Sequence, residues 1–210
     1  MRDKPDVPWT PTREWPAFRA VRRAWLPIGT IALTYFLFLG IGMGMAHAGS
    51  EFALTRRDSL VRHGETHDQS AIAFQEGKVF KAIAIEFGRD CYRALLKTLQ
   101  GLTVIVPYPL AAQGGWYGGI LSVDSNHLSQ FRDPFNAVYY LFFEVLQIIA
   151  SSLAAGAGVN LTVASLRSRP PYQGNKWFVI PQEAVRDLLR IYLLVVPLVF
   201  ISAVWEYFVP

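Results

Sequence analysis

The first strongly apolar stretch of this 210-residue chain, residues 24–46, reads AWLPIGTIALTYFLFLGIGMGMA and contains no charged side chain. As a helix it would be about 35 Å long, which exceeds the roughly 30 Å hydrocarbon core of a bilayer. Trp25 stands at its start, a position typical of the membrane–water interface. The pattern predicts a membrane-spanning helix. A signal peptide cleaved after Ala48 is the alternative, but the apolar run is longer than the usual signal core of about 7–15 residues.

Two more stretches have the length and composition of membrane spans. Residues 134–166 carry one charged side chain, Glu144. A helix over this whole range would be about 48 Å long, so we expect it to tilt, bend or protrude from the membrane. Residues 188–209 have an uncharged centre, with Arg190 near one end and Trp205 near the other. The sequence therefore predicts three long spans.

A broken apolar stretch, residues 101–121, lies between the first two spans. Pro107 and Pro109 lack backbone donors, and several glycines add backbone freedom. We predict a re-entrant hairpin sheltered by neighbouring helices, because irregular backbone cannot face lipid. A pair of short full crossings is the alternative.

Residues 47–100 are predicted to form an extramembrane loop followed by an amphipathic helix. Residues 55–70 are polar and loop-like. Apolar side chains then recur at helical spacing, which indicates a helix that lies along the membrane interface or packs on its own bundle. These side chains are Ile72, Val79, Phe80, Ile83, Phe87, Cys91, Leu95 and Leu99.

The composition limits the class of protein. Hydrophobic residues make up 52% and charged residues 17%, which excludes a disordered chain. One cysteine excludes a disulfide framework and a Cys-cluster zinc site. The net charge of +4 could suggest nucleic acid. The basic residues lie at the ends of apolar runs, however, so we expect the lipid bilayer, and not nucleic acid, as a partner.

The distribution of positive charge also predicts an orientation. The segment 1–23 and the connection 167–190 are both basic, and cytoplasmic segments of membrane proteins carry such an excess. We therefore expect residues 1–210 to form a single all-α domain. It would be a multi-pass bundle in the cell inner (cytoplasmic) membrane with a cytoplasmic N-terminus.

No motif for catalysis, metal binding or a cofactor was found. His63 and His67 flank Gly64 and Glu65 in HGETH, which is not the H-E-x-x-H order of zinc proteases, and a solvated loop is the better interpretation. Nucleotide-binding glycine motifs and G-x-S-x-G are absent. No credible nucleophile–base pair supports an intramembrane hydrolase, and no central histidine supports haem or pigment ligation. We expect a protein that is not an enzyme, without catalytic residues, metal or cofactor.

Two glutamates are candidates for an intramembrane polar site. Glu144 and Glu206 lie in or near predicted spans, where an ionisable group normally faces protein or water. Each can serve as a structural hydrogen-bond partner or as a proton or cation site. Small residues at helical spacing predict close helix packing. The residues predicted to pack in this way are Gly40, Gly44, Gly114, Gly118, Gly156 and Gly158.

The chain from about Phe80 to Pro210 resembles the stage II sporulation protein M family of integral membrane proteins. The resemblance is carried by QGGWYG at 113–118, by Glu144 followed by AGAG at 155–158, and by EYFVP at 206–210. The chain differs from the family's frequent His-Gly at Tyr140-Leu141. Members from sporulating cells belong to a membrane machine that positions cell-wall hydrolases during engulfment. The resemblance implies a polytopic, non-catalytic membrane component.

Two functions follow as hypotheses. The first is a non-catalytic membrane subunit or scaffold that binds other membrane proteins of a complex. The alternative is a transporter or channel subunit that uses Glu144 in a proton or cation site.

Overall fold

The computed structural model describes residues 15–166, 176–177 and 180–208. In this part of the chain a bundle of eight helices confirms the predicted all-α class. The helices are α1 (Pro16–Arg23), α2 (Trp25–His47), α3 (Glu51–His67), α4 (Gln69–Gln75), α5 (Val79–Gly101), α6 (Pro107–Ile120), α7 (Pro134–Leu166) and α8 (Gln182–Phe208). A 3₁₀ turn at Gln130–Arg132 precedes α7, and a small antiparallel pair, β1 (Lys176–Trp177) and β2 (Ile180–Pro181), precedes α8.

Three of the helices are long and apolar enough to cross a membrane: α2, α7 and the Gln182–Tyr207 part of α8. Their outward faces are apolar, with Leu33 on α2 58% exposed and Leu193 on α8 66% exposed. Such a wide apolar surface is costly in water and favourable against lipid. The architecture is that of a multi-pass membrane protein.

The directions of the helices define two ends of the bundle. The hydroxyl oxygens of Thr30 and Tyr108 are 3.1 Å apart, and Gly115 lies against the backbone of Tyr35 and Leu39. α2 and α6 therefore run parallel to each other. α5 and α7 run the opposite way, and α8 runs with α2. We call the end where α2 and α8 begin the Trp25 end, and the end where they finish the His47 end.

α7 lies at the centre of the bundle. All its residues from Ala150 to Asn160 are buried, and most of them are small. One side packs against Ile31 and Tyr35 of α2, and the other packs against Ile191 of α8 and the adjacent helices. Small side chains at the middle of α7 thus allow neighbouring helices to approach closely on both sides.

The predicted hairpin within residues 101–121 is wrong in detail. Pro107 is the first residue of α6 and Pro109 lies in its first turn, where no intrahelical donor is needed. The glycines continue the helix: Gly114, Gly115 and Gly119 lie against α2, and Gly118 lies against Glu144 of α7. The hairpin that forms has α5 and α6 as its arms. Its connection, residues 102–106, includes Val104 at a φ of 65°.

Two predictions about residues 47–100 also need correction. The segment 55–70 is helical, in α3 and the start of α4, because its few breakers do not outweigh its helix-forming residues. α5 does not lie along the membrane interface. It packs lengthwise on α7 and α8, which was the alternative interpretation of its pattern.

Candidate functional site: a polar seam between α5, α7 and α8

α5 turns its polar face into the bundle and its apolar face outward. The buried positions recur every three or four residues and include Glu86, Asp90 and Thr98. Phe80 and Leu99, on the opposite face, are 82% and 51% exposed. This arrangement is the reverse of a helix on a water-soluble domain, and it suits a helix that faces lipid. We give the name polar seam to the polar residues of this face, including the half-exposed Arg93, together with their partners on α7 and α8: Glu86, Asp90, Arg93, Lys97, Gln147, Ser151 and Ser202.

Asp90 is at the centre of the polar seam, eleven residues from either end of α5. Its Oδ1 accepts a hydrogen bond from Arg93 at 3.0 Å, and its Oδ2 accepts one from Nε2 of Gln147 at 2.8 Å. The same amide donates to Oγ of Ser202 on α8 at 3.1 Å. One carboxylate and one amide therefore connect three helices near mid-height, where the side chain of Asp90 is only 4% exposed.

Lys97 lies about two turns of α5 beyond Asp90, toward the Trp25 end. Its Nζ donates to Oγ of Ser151 on α7 at 2.5 Å and lies 5.8 Å from the ring centre of Tyr35 on α2. In the described part of the chain it forms no ion pair with a carboxylate. Lys97 and Asp90 both line a small cavity of about 20 Å³. The ammonium thus contacts neutral groups beside this cavity.

An acidic cluster joins the polar seam to the His47 end. Arg89 contacts Asp68 and Glu86, and Oγ of Ser70 donates to Glu86 at 2.9 Å. Burial alone would raise the pKa of Asp68, but hydrogen bonds from Ser70 and Arg89 outweigh it and lower the pKa to about 2. The carboxylate of Glu206 on α8 lies within electrostatic range of Glu86 and Asp90.

A second ionic cluster closes the Trp25 end. Asp187 on α8 is fully buried, and it pairs with Arg23 of α1 and Arg190 of α8, both at 3.1 Å. Glu183 accepts from Arg190 at 2.7 Å. Between this cluster and Lys97, the hydroxyls of Thr98 and Tyr192 are 2.7 Å apart. Polar groups therefore follow one another along the full height of α5 and α8.

Of the two predicted polar residues, Glu144 lies apart from the polar seam on the α6 side of α7. A Cβ at Gly118 would lie 2.5 Å from its Oε2, so the absence of a side chain there makes room for the carboxylate. The carboxylate of Glu144 has no hydrogen bond or ion pair among the described residues. The backbone carbonyl of Gly118 accepts instead from Tyr140 at 2.6 Å. A structural hydrogen bond of Glu144 is thus not found in the described part of the chain, and its role as a structural partner or an ion site stays a prediction.

Glu206, the other predicted polar residue, is half-buried near the end of α8. Its backbone carbonyl accepts from the hydroxyl of Tyr139 at 3.2 Å, and its carboxylate has no hydrogen bond among the described residues. The structure therefore places the two predicted glutamates on different sides of α7 and does not bring them together.

The predicted packing glycines divide into three pairs. Gly156 and Gly158 lie directly against Ile28 and the backbone of Thr98, as expected. Gly114 and Gly118 accommodate the side chains of Tyr35 and Glu144, while the neighbouring Gly115 and Gly119 meet the α2 backbone. Gly40 and Gly44 are exposed, and among the described residues no other helix comes within 4 Å of a Cβ placed there. Gly42, between them, packs on α6 in their place.

Asp90, Lys97 and Gln147 were missed by sequence reasoning. The signal was present, since Glu86, Asp90, Arg93 and Lys97 recur at spacings of three and four and so share one face of a helix. The sequence prediction relied on the apolar face of this helix and gave these charged residues no role. In a membrane protein the same pattern indicates an inward polar face.

The histidines of HGETH give no metal site in the described part of the chain. His63 is exposed on α3, and the side chain of His67 lies outside the described residues. No group of three or more metal-ligating side chains is found among the residues that were described.

Comparisons with protein-family models, curated proteins and solved structures gave no match. The resemblance to the stage II sporulation protein M family stays a prediction.

Proposed function

We propose that this protein is a transporter or channel subunit that moves a proton or a small cation through its helix bundle. The observation that supports the proposal is the burial of Asp90 in the middle of α5, hydrogen-bonded to α7 and, through Gln147, to α8. An ionisable group in a membrane bundle costs several kcal/mol unless it is paired or hydrated, so such groups mark ion and proton pathways by default.

The order of the polar groups gives the proposed path. Glu206 and Glu86 lie toward the His47 end, Asp90 lies at the centre, and Asp187 lies at the Trp25 end. Carboxylates can carry a proton by becoming neutral, and their oxygens are suitable ligands for a small cation. Glu144, on the other side of α7, is a second proposed proton or cation site because its carboxylate has no described partner.

Flux through the purified protein in liposomes tests the proposal. A potassium gradient with valinomycin would drive protons inward, and an enclosed pH-sensitive dye would report them. We expect wild-type protein to conduct above empty liposomes, and Asp90→Asn to reduce the flux at least ten-fold. Glu144→Gln would show whether the second site contributes. Separate measurements with sodium and potassium gradients would identify a cation.

The matched control is Glu76→Gln, which removes an exposed acid outside the bundle. We expect its flux to equal that of the wild type. Gel filtration and thermal unfolding would confirm that each variant is folded. Wild-type flux no greater than that of empty liposomes, or equal flux in folded Asp90→Asn, would contradict the proposal.

The proposed location is the cell inner (cytoplasmic) membrane, with the Trp25 end in the cytoplasm. Basic residues at this end support the orientation, since cytoplasmic segments carry an excess of lysine and arginine. Arg19 and Arg22 on α1 are exposed there, and Arg186 at the start of α8 is exposed beside them.

A non-catalytic subunit or scaffold that binds other membrane proteins is the second candidate. It is favoured by the outward position of Gly40 and Gly44, which form a small-residue face of α2 that none of the described residues covers. Purification in mild detergent with and without Gly44→Leu tests it. Partners that co-purify with the wild type and are lost from the variant would support this function, and a wild-type protein recovered alone would oppose it.

A further inference from the structure

We propose that the cavity beside Lys97 binds a monovalent inorganic anion of halide size. The cavity lies between the centres of α5, α7 and α8, and its polar lining is Asp90, Arg93, Lys97, Gln147 and Ser151. The inference goes beyond the proposed function, because an anion can occupy this space whether or not a proton or cation crosses the bundle.

The two cations that line the cavity differ in their partners. Arg93, which is half exposed, lies 3.0 Å from the carboxylate of Asp90 and 3.8 Å from that of Glu86. Lys97 is half-buried and forms no ion pair with either carboxylate. A cation that is partly removed from water is stabilised by a nearby negative charge, and a bound anion would supply that charge to Lys97.

The hydrogen-bonding groups also favour an acceptor in the cavity. An ammonium has three donors, and Ser151 uses one of the donors of Lys97. The Ser151 hydroxyl accepts that bond and keeps its own hydrogen for another acceptor. The oxygens of Asp90 already accept from Arg93 and Gln147. The free donors on one side of the cavity thus belong to Lys97 and Ser151.

The size of the cavity sets the class of ligand. A volume of about 20 Å³ is close to the space that holds one water molecule. Phosphate, sulfate and carboxylate ligands are too large for it. Val199 and two alanines form an apolar wall that offers a large anion no further donor. A single halide ion fits both the volume and the unpaired ammonium of Lys97.

Thermal unfolding of the purified protein in detergent tests the proposal. Sodium chloride or sodium bromide replaces sodium gluconate stepwise, so that the ionic strength stays constant. We expect a saturable rise of Tm with either halide and none with gluconate, which is too large. Lys97→Met should weaken the halide effect at least ten-fold in apparent affinity. The control Lys81→Met, which alters an exposed lysine of the same helix, should leave it unchanged.

A crystal grown in bromide gives a second readout that does not depend on a variant. An anomalous bromide peak beside Nζ of Lys97 supports the proposal, and an empty or water-filled cavity overturns it. Equal Tm changes with halide and gluconate, or an unchanged halide effect in folded Lys97→Met, also overturn it. Halide binding without flux in liposomes would contradict the proposed transport function and still support the anion site.

Discussion

Glycines without side chains set the distance between α5 and α7. A Cβ on Gly158 would overlap the backbone oxygen of Thr98, and one on Gly101 would overlap the backbone of Ala155. Backbone atoms cannot move aside as a flexible side chain can. The small-residue run in α7 predicted close packing, but its partner, Gly101, lies beyond a stretch of charged residues and was assigned to the broken hairpin.

Gly158→Ala is expected to destabilise the protein. The added methyl group must push α5 and α7 apart, and overpacking of this kind typically costs about 1–3 kcal/mol. The measurement is thermal unfolding in detergent. Gly88→Ala is the control, because Gly88 is exposed on α5 with no atom within 4 Å of the added Cβ, and alanine favours a helix there. A Tm of Gly158→Ala equal to that of the wild type would show that α5 and α7 do not pack closely at Gly158.

The carboxylate of Asp68 gives an acid-dependent contribution to stability. Its pKa of about 2 lies below the ordinary value of 3.8, so the folded state favours its charged form. The resulting stabilisation is fully present above about pH 4 and is lost as the pH falls toward 2. Asp68→Asn should keep the helix cap but lose the pairing with Arg89, at a cost of about 0.5–1 kcal/mol at pH 7.

Thermal unfolding from pH 6 to pH 2 measures this contribution. The gap in Tm between the wild type and Asp68→Asn should close as the pH falls to the pKa. Asp133→Asn is the control, since Asp133 is exposed and its carboxylate accepts only from the backbone N–H of Phe135 among the described residues. A gap that stayed constant over this range would mean that the charge of Asp68 has no role.

At the scale of helices, α5 shows what a sequence pattern can and cannot predict. Its apolar spacing predicted a helix correctly, because the period of an α-helix does not depend on the solvent. The direction of its apolar face does depend on the solvent. Lipid accepts Phe80, Leu95 and Leu99, so the charged face turns to α7 and α8. The same dependence explains α6, whose prolines mark the start of a helix and not a break.

Thr98→Val tests the contact of α5 with both neighbours. The hydroxyl of Thr98 donates to the backbone oxygen of Ala154 at 2.9 Å. It also lies 2.7 Å from the hydroxyl oxygen of Tyr192. Valine has the same shape and leaves the Tyr192 hydroxyl without this partner, so we expect a loss of about 1–3 kcal/mol in detergent unfolding. Thr55→Val, at an exposed site on α3, should have little effect.

A double-mutant cycle separates this hydrogen bond from a general effect of valine. Tyr192→Phe removes the unpaired hydroxyl, so the double variant Thr98→Val with Tyr192→Phe should be more stable than the sum of the two single losses predicts. Strictly additive losses would indicate that the two hydroxyls are not hydrogen-bonded in solution.

At the scale of the whole molecule, the connections place α1 and the start of α8, which are described parts of the two basic segments, at one end. α1 and the start of α8 meet through Arg23, Glu183 and Asp187. The sequence predicted this shared end from charge alone. The hairpin of α5 and α6 makes the shared end possible, because α5 begins and α6 finishes at the His47 end. The order of the helices around α7 could not be predicted, since it depends on which small residues meet across the bundle.

Labelling of single cysteines tests the two ends and the proposed orientation. In a variant with Cys91 replaced by alanine, Ser125→Cys would report the His47 end and Arg19→Cys the Trp25 end, since both positions are exposed. In right-side-out vesicles a membrane-impermeant maleimide should label Ser125→Cys at once and Arg19→Cys only after permeabilisation, because the proposed orientation places the basic end in the cytoplasm. The reverse order of labelling would show that the orientation is opposite to the proposed one, and it would remain consistent with the fold. Labelling of both positions in sealed vesicles would mean that the bundle does not separate its two ends across a bilayer.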